Sequence, residues 1–270
     1  MSECRIIMLG TGDAMVTRCY NTCFVIETPA ARLLVDAGGG NGILVQLGKA
    51  GVDLNGVNDM FVTHAHTDHV LGAVWVVRSV IAGMKKHRRG GEFRIYGHDR
   101  VLHVLESICR MTLAKSYTDY LGTAVKFCEV RDGDEFAAGD MRITCFDRFS
   151  TKEKQFGFSA LLPGGKRLVC LGDEPYREQN RKYAEAADWL MSEAFCLYAD
   201  RERFKPYEKS HSTARDAGIC AGRLNVRNLV LYHTEDETLS TRKSRYAEEA
   251  RENFTGNVYV PDDLEVIEIM

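Results

Sequence analysis

Apolar and polar positions repeat with two periods along this chain, and the two periods take turns. Arg5–Leu9 is a tight apolar run that predicts a strand, closed by the turn Gly10-Thr-Gly12-Asp13. Thr22–Glu27 and Arg32–Asp36 predict a hairpin around Pro29. After Gly38-Gly-Gly40 the spacing turns helical from Asn41 to Lys49, and Gly51 stops it. Asn58–Thr63 reads as a short buried strand. From Asp68 to Met84, Val70, Leu71, Val74, Val77 and Ile81 fall on one face of an amphipathic helix. A strand over Phe93–Tyr96 and a helix over His98–Leu113 follow. Four further strands are predicted over Val125–Val130, Met141–Phe146, Phe158–Leu162 and Arg167–Leu171. Tyr176–Leu190 contains no proline and predicts a helix. Thr213–Leu224 predicts another, capped by Thr213 with Asp216 at the reciprocal position. A strand over Asn228–Tyr232, a polar helix over Thr241–Phe254 and the last strands within Val258–Ile269 complete the chain. Strands and helices alternate in two similar halves, with no linker between them. Residues 1–270 are therefore expected to form a single α/β domain of two packed sheets with helices outside.

Composition adds exclusions. With 45% hydrophobic and 27% charged residues, the 270-residue chain is typical of a soluble globular protein. A formal charge of −3 argues against a generally basic nucleic-acid binder. The cationic stretch Lys85-Lys-His-Arg-Arg-Gly90 reads as a solvated turn rather than a phosphate contact. No long apolar run or export signal is visible, so no membrane partner is expected. Nine cysteines occur without a CxxC pair, which predicts reduced thiols and a cytoplasmic location.

Chemistry concentrates in Phe61-Val-Thr-His-Ala-His-Thr-Asp-His69, which places His64, His66, Asp68 and His69 within six residues. In an extended segment His64, His66 and Asp68 share one side, and the turn into a helix brings His69 to the same region. Imidazole and carboxylate donors suit zinc, manganese or iron. One loop cannot complete such a site, so further donors are expected at other strand ends. Asp173 follows the strand-like Leu168–Gly172, and His233 follows Leu229–Tyr232. In isolation, each would read as an ordinary polar residue at the end of a strand.

The HxHxDH stretch resembles the signature of the metallo-β-lactamase fold superfamily, which implies a four-layer αββα sandwich. The resemblance runs from Met8 to His233. Leu9-Gly-Thr-Gly-Asp13 with Asn21-Thr22 resembles the opening of ribonuclease Z-like members, and Val35-Asp-Ala-Gly38 the aspartate of their second strand. Leu171-Gly-Asp173 is similar to the bridging-aspartate motif, and Tyr232-His233 to the last metal ligand. Glu193 and His211 are similar to the pair that ribonuclease Z-type enzymes place near the scissile phosphate. The resemblance implies one or two zinc ions, with manganese or iron as alternatives, on His64, His66, Asp68, His69, Asp173 and His233. It implies a homodimer, and a phosphodiester substrate, RNA or smaller, attacked by metal-activated hydroxide. Asp68 would orient the nucleophile, His211 would protonate the leaving oxygen, and Glu193 would fix the His211 tautomer. Asp36 is expected to buttress the histidine loop, and Gly10, Gly12, Asp13 and Asn21 to shape the turn beneath it.

Two departures qualify this. The superfamily has another histidine on a middle strand, yet none occurs between His103 and His211; by spacing the vacancy falls at Phe149. The His64/His66 site is thus expected to be the weaker one, or to be completed by water or a neighbour such as Asp147. The site of Asp68, His69, Asp173 and His233 retains every ligand. Second, Phe158–Asp173 is only a hairpin turning at Pro163-Gly-Gly-Lys166, where ribonuclease Z carries a tRNA-gripping arm. Hydrolysis of an ester, thioester or lactam on the same metals remains an alternative, as does a catalytically silent binding protein. A redox di-iron role is disfavoured by His66, where that branch has glutamate.

Overall fold

A computed structural model describes residues 4–269. The first half holds β1 (Cys4–Gly10), β2 (Cys23–Glu27), β3 (Arg32–Val35), α1 (Gly42–Lys49), β4 (Asp59–Phe61), α2 (Thr67–Lys85), β5 (Phe93–Gly97), α3 (Asp99–Thr112), α4 (Lys115–Thr118) and β6 (Val125–Glu129). The second holds β7 (Glu135–Ala138), β8 (Met141–Asp147), β9 (Phe156–Leu161), β10 (Arg167–Cys170), α5 (Arg181–Ala184), β11 (Trp189–Glu193), α6 (Arg201–Phe204), α7 (Ala214–Arg223), β12 (Asn228–Tyr232), α8 (Leu239–Arg251), β13 (Asn257–Tyr259) and β14 (Val266–Ile269).

They build two seven-stranded sheets, ordered β14-β1-β2-β3-β4-β5-β6 and β13-β12-β11-β10-β9-β8-β7. Each sheet is antiparallel on one side and parallel on the other, with β3 to β6 and β10 to β13 as the parallel runs. Central strands are buried on both faces, so their sequences are nearly continuously apolar. On β1, Ile6 and Met8 pack between the sheets, while Ile7 and Leu9 face the helical layer. α1, α2 and α3 contribute to the first outer core, and α7 and α8 to the second. The result is the expected αββα sandwich.

Tyr176–Leu190 does not form the expected helix. Only a 3-10 turn over Glu178–Asn180 and the short α5 are helical there, and Ala186 turns left-handed with φ 54°. Its amide is held by Leu224 O at 2.7 Å. Trp189–Glu193 then becomes β11, a parallel strand between β10 and β12. Trp189 and Met191 pack between the sheets and Leu190 outward, so two-sided burial overrides the helix propensity of Glu185-Ala-Ala187. The edge strand β7, half solvent-facing, also lay outside the sequence expectation.

The cationic loop is tied down by Arg89, which turns inward to the carbonyls of Leu54 and Val57 and to Asn58. β9 and β10 pair from Leu161↔Arg167 onward around Gly164 and Gly165, so this hairpin carries no arm. Among the described residues there is no disulfide, and no helix is long and apolar enough to cross a membrane.

Candidate metal centre

The candidate residues gather at the carboxyl ends of the parallel strands, where open α/β sheets place their ligands. Asp36 follows β3 and the histidine loop follows β4; Asp173 follows β10, Glu193 ends β11 and His233 follows β12. His66 sits at the N-cap of α2, with Asp68 in its first turn. Gly72 of α2 rests on the backbone of the first sheet: a Cβ there would lie 1.8 Å from Ala37 O.

Asp36 supports the loop as expected. It accepts from Thr63 N and Thr63 Oγ1, each at 2.8 Å, and from His69 Nδ1 at 2.8 Å. That last bond fixes the His69 tautomer and aims Nε2 inward. Asn21 joins the opening turn to the glycine loop, donating to Asp13 O at 2.7 Å and accepting from Gly39 N at 3.1 Å.

Asp173 Oδ2 lies 3.4 Å from His64 Nε2 and 3.8 Å from both His69 Nε2 and His233 Nε2. One oxygen thus faces three imidazoles. Asp68 Oδ2 lies 3.3 Å from His69 Nε2 and 3.5 Å from His233 Nε2. His64 Nε2 and His66 Nδ1 are 2.8 Å apart. Two donor groups hold the loop's histidines, His64/His66/Asp173 and Asp68/His69/His233, with the donor atoms of each within 4.8 Å of one another; a third, Glu193/His211/His233, shares His233. His69 Nε2 and both ring nitrogens of His233 are buried without a hydrogen-bond partner. Orphaned imidazole nitrogens beside buried carboxylates are the expected state of a site made for a cation. The residues present fit a metal.

The electrostatics agree. Burial opposes charge on Asp68, yet His69 and His233 hold its carboxyl far below the usual range. Asp173 is likewise buried, and His64, His233 and His69 hold it well below. Burial also opposes protonation of His69, but Asp68 and Asp36 raise its pKa well above the ordinary value. His233 rises too: burial opposes its charge, but the adjoining carboxylates of Asp68 and Asp173 favour it. His66 moves oppositely, lowered to about 4 by burial and by its neighbour His64.

Phe149 carries its ring outward at 43% exposure, and its amide takes Asp147 Oδ1 at 2.7 Å. Asp147 belongs to neither donor group, so it does not complete the first site. The polar group that does reach this place is Gln155, buried at 1% exposure. Its amide nitrogen donates to Asp173 Oδ1 and lies 3.2 Å from His64 Nδ1. Sequence reasoning passed over Gln155; the signal was a lone polar side chain entering the apolar strand Phe156-Gly-Phe158.

Glu193 and His211 are brought together, with a correction. Glu193 Oε2 is 3.7 Å from His211 Nδ1, outside hydrogen-bond reach. The carboxylate instead accepts from Ser212 N at 2.6 Å and Phe195 N at 3.2 Å, so it fixes the loop rather than the tautomer. The imidazole is positioned by stacking: its ring lies 5.0 Å from Phe195 at 11° and 5.3 Å from His233. Thr213 and Asp216 form the expected capping box of α7 just beyond. His66, Asp68, Asp173, His211 and His233 open into a cavity of about 750 Å³, bordered also by Met15, Phe195, Phe204, Lys152 and Lys209 and by the acidic run Glu235-Asp-Glu237.

A family model described as Anti-Pycsar protein Apyc1 matches residues 4–245. The chain belongs to this family. The Apyc1-family chain is also similar to ribonuclease Z from Halorubrum lacusprofundi, 27% identical over 311 residues that span 98% of this chain and 97% of that protein. Among solved structures it is similar to the metallo-β-lactamase fold protein YhfI from Bacillus subtilis, with TM-score 0.77 and 19% identity, covering 99% of this chain and 100% of that one. Human tRNase Z, short form (ELAC1), superposes with TM-score 0.75 at 20% identity, over 97% of this chain and 98% of that one. The Apyc1-family chain is thus a ribonuclease Z-like protein with the metallo-β-lactamase fold.

Proposed function

We propose that the chain is a metal-dependent phosphodiesterase that hydrolyses RNA or small phosphodiesters. The observation that carries this reading is the meeting of both His/Asp donor groups with His211 and two lysines in one cavity. His64, His66, Asp68, His69, Asp173 and His233 would hold one or two ions, zinc first, with manganese or iron suited to the same donors. A bound ion there supplies Lewis acidity that makes water a nucleophile near neutral pH.

The chain's own residues do the rest. Lys152 and Lys209 draw the phosphate into the cavity, and Met15, Phe195 and Phe204 offer apolar walls to the attached group. Asp68 orients the attacking water. As the P–O bond breaks, His211 gives its proton to the leaving oxygen. Phe195 holds that imidazole in plane, and Glu193 holds the loop that carries it. A histidine stacked beside the metals is placed to protonate the alkoxide that leaves a phosphodiester. The absence of an arm on the β9–β10 hairpin favours substrates that fit the cavity over a gripped tRNA. Resemblance to ribonuclease Z implies a homodimer, which sedimentation of the purified protein tests, and cysteines without a CxxC pair suit the cytoplasm.

The deciding experiment is a substrate screen on metal-quantified protein with bis(p-nitrophenyl) phosphate, short RNA, an ester and a lactam. Turnover of the phosphodiesters is expected with added zinc or manganese. His211→Ala should lose roughly 100-fold or more in kcat while retaining metal. Turnover of the ester or lactam alone, or a His211→Ala rate equal to wild type, would defeat the reading.

A further inference from the structure

We infer that Gln155 is the positioning residue that replaces the missing third imidazole, locking the bridging carboxylate and making the two metal sites unequal. This rests on the reading that the two His/Asp groups hold metal. The first group ends with three donors, His64 Nε2, His66 Nδ1 and an oxygen of Asp173. The side chain that fills the adjoining space has no donor to offer. An amide nitrogen has no free lone pair, and this nitrogen is the end of Gln155 turned toward the site. The amide oxygen faces away, against Gly172, where a Cβ would lie 2.8 Å from it, and it has no hydrogen-bond partner. Gly172 has φ 74°, so a larger residue is excluded there and the amide keeps its seat.

What the amide does instead is hold Asp173. Asp173 turns Oδ2 to three imidazoles and leaves Oδ1 for another partner. The N–H of Gln155 takes Oδ1, which leaves Oδ2 fixed between His64, His69 and His233. The backbone pins Gln155 in turn: its carbonyl accepts from Arg148 N at 2.9 Å, and Phe156 N donates to Thr63 O at 3.0 Å. The loop that lost its histidine is thus closed onto the histidine loop through its other end. Gln155 steadies Asp173, whose Oδ2 lies 3.4 Å from His64 and 3.8 Å from His69 and His233, while adding no ligand to the His64/His66 site.

Zinc binding to metal-free full-length protein, measured by chelator competition and by the visible spectrum of the cobalt form, tests this. Wild type is expected to show one tight equivalent and a second at least tenfold weaker. Gln155→Leu removes the N–H and should weaken the tight equivalent by tenfold or more and alter the cobalt bands, a change that loss of packing alone does not produce. Gln155→His supplies an imidazole and should bring the second equivalent to within about threefold of the first; it also carries the test should the leucine variant fail to fold. Isotherms and cobalt spectra like wild type in both variants overturn the role of Gln155 alone. Wild-type protein that takes up no zinc overturns the metal reading itself, and this inference with it.

Discussion

Asp36 and His233 have left-handed backbones, φ 54° and 57°, although neither is glycine. Such a conformation costs a β-carbon residue roughly 1–2 kcal/mol, so surrounding contacts must hold it. Both residues stand where a parallel strand ends; His233 turns into the cavity, and Asp36 turns to the back of the histidine loop. For Asp36 the return is three hydrogen bonds to the histidine loop. Replacing Asp36 with Asn removes the acceptor that fixes His69, and zinc affinity should fall roughly 10–100-fold in a competition titration; equal affinity would free Asp36 of this role. Lys152 acts on substrate rather than metal, so Lys152→Ala should raise KM roughly tenfold with metal content unchanged. The convergence of the HxHxDH stretch with Asp173 and His233 was legible because each follows an apolar run at a strand end. Gln155 was not: its meaning lies in contact with His64, 91 residues away in sequence. The Glu193–His211 pair was legible as a neighbourhood only, because two backbone amides claim the carboxylate first.

Among the elements, α2 carries the most consequence. Its first turn delivers Asp68 and His69, and its angle depends on Gly72 lying against Ala37. Gly72→Ala forces helix and sheet apart. It should cost about 1–3 kcal/mol in chemical denaturation, with zinc affinity falling alongside; a variant as stable as wild type would show that the contact yields. α7 stands just behind His211 and begins in a capping box. Thr213→Ala should cost about 1 kcal/mol. The helix periods of α2, α3 and α7 were readable because one face is apolar and the other wet. β11 was misread for the opposite reason. A strand buried on both faces has no period to display, and Glu185-Ala-Ala187 before it favours helix until Ala186 turns the chain.

At the scale of the molecule, the buried carboxylates and imidazoles of the centre form an ion-paired cluster. His69 has its pKa raised well above 6.5, so at neutral pH it carries a proton that zinc must displace, the one on Nε2 facing Asp68. The sign follows: uptake releases at least one proton near pH 7, and the release fades as pH rises through the folded-state pKa of His69. Titration calorimetry in two buffers of different ionisation enthalpy reads that number directly; a heat independent of buffer would contradict it. The αββα layering itself was legible in the alternation of periods, whereas the meeting of the two sheets' carboxyl ends belongs to the folded chain alone. That meeting has a mechanical side. His64, His66, Asp68 and His69 ride on the first sheet, and Asp173 and His233 on the second. An ion shared between them is a clasp across the seam of the sandwich. By linkage, whatever affinity it draws from both sheets returns as resistance to their sliding apart.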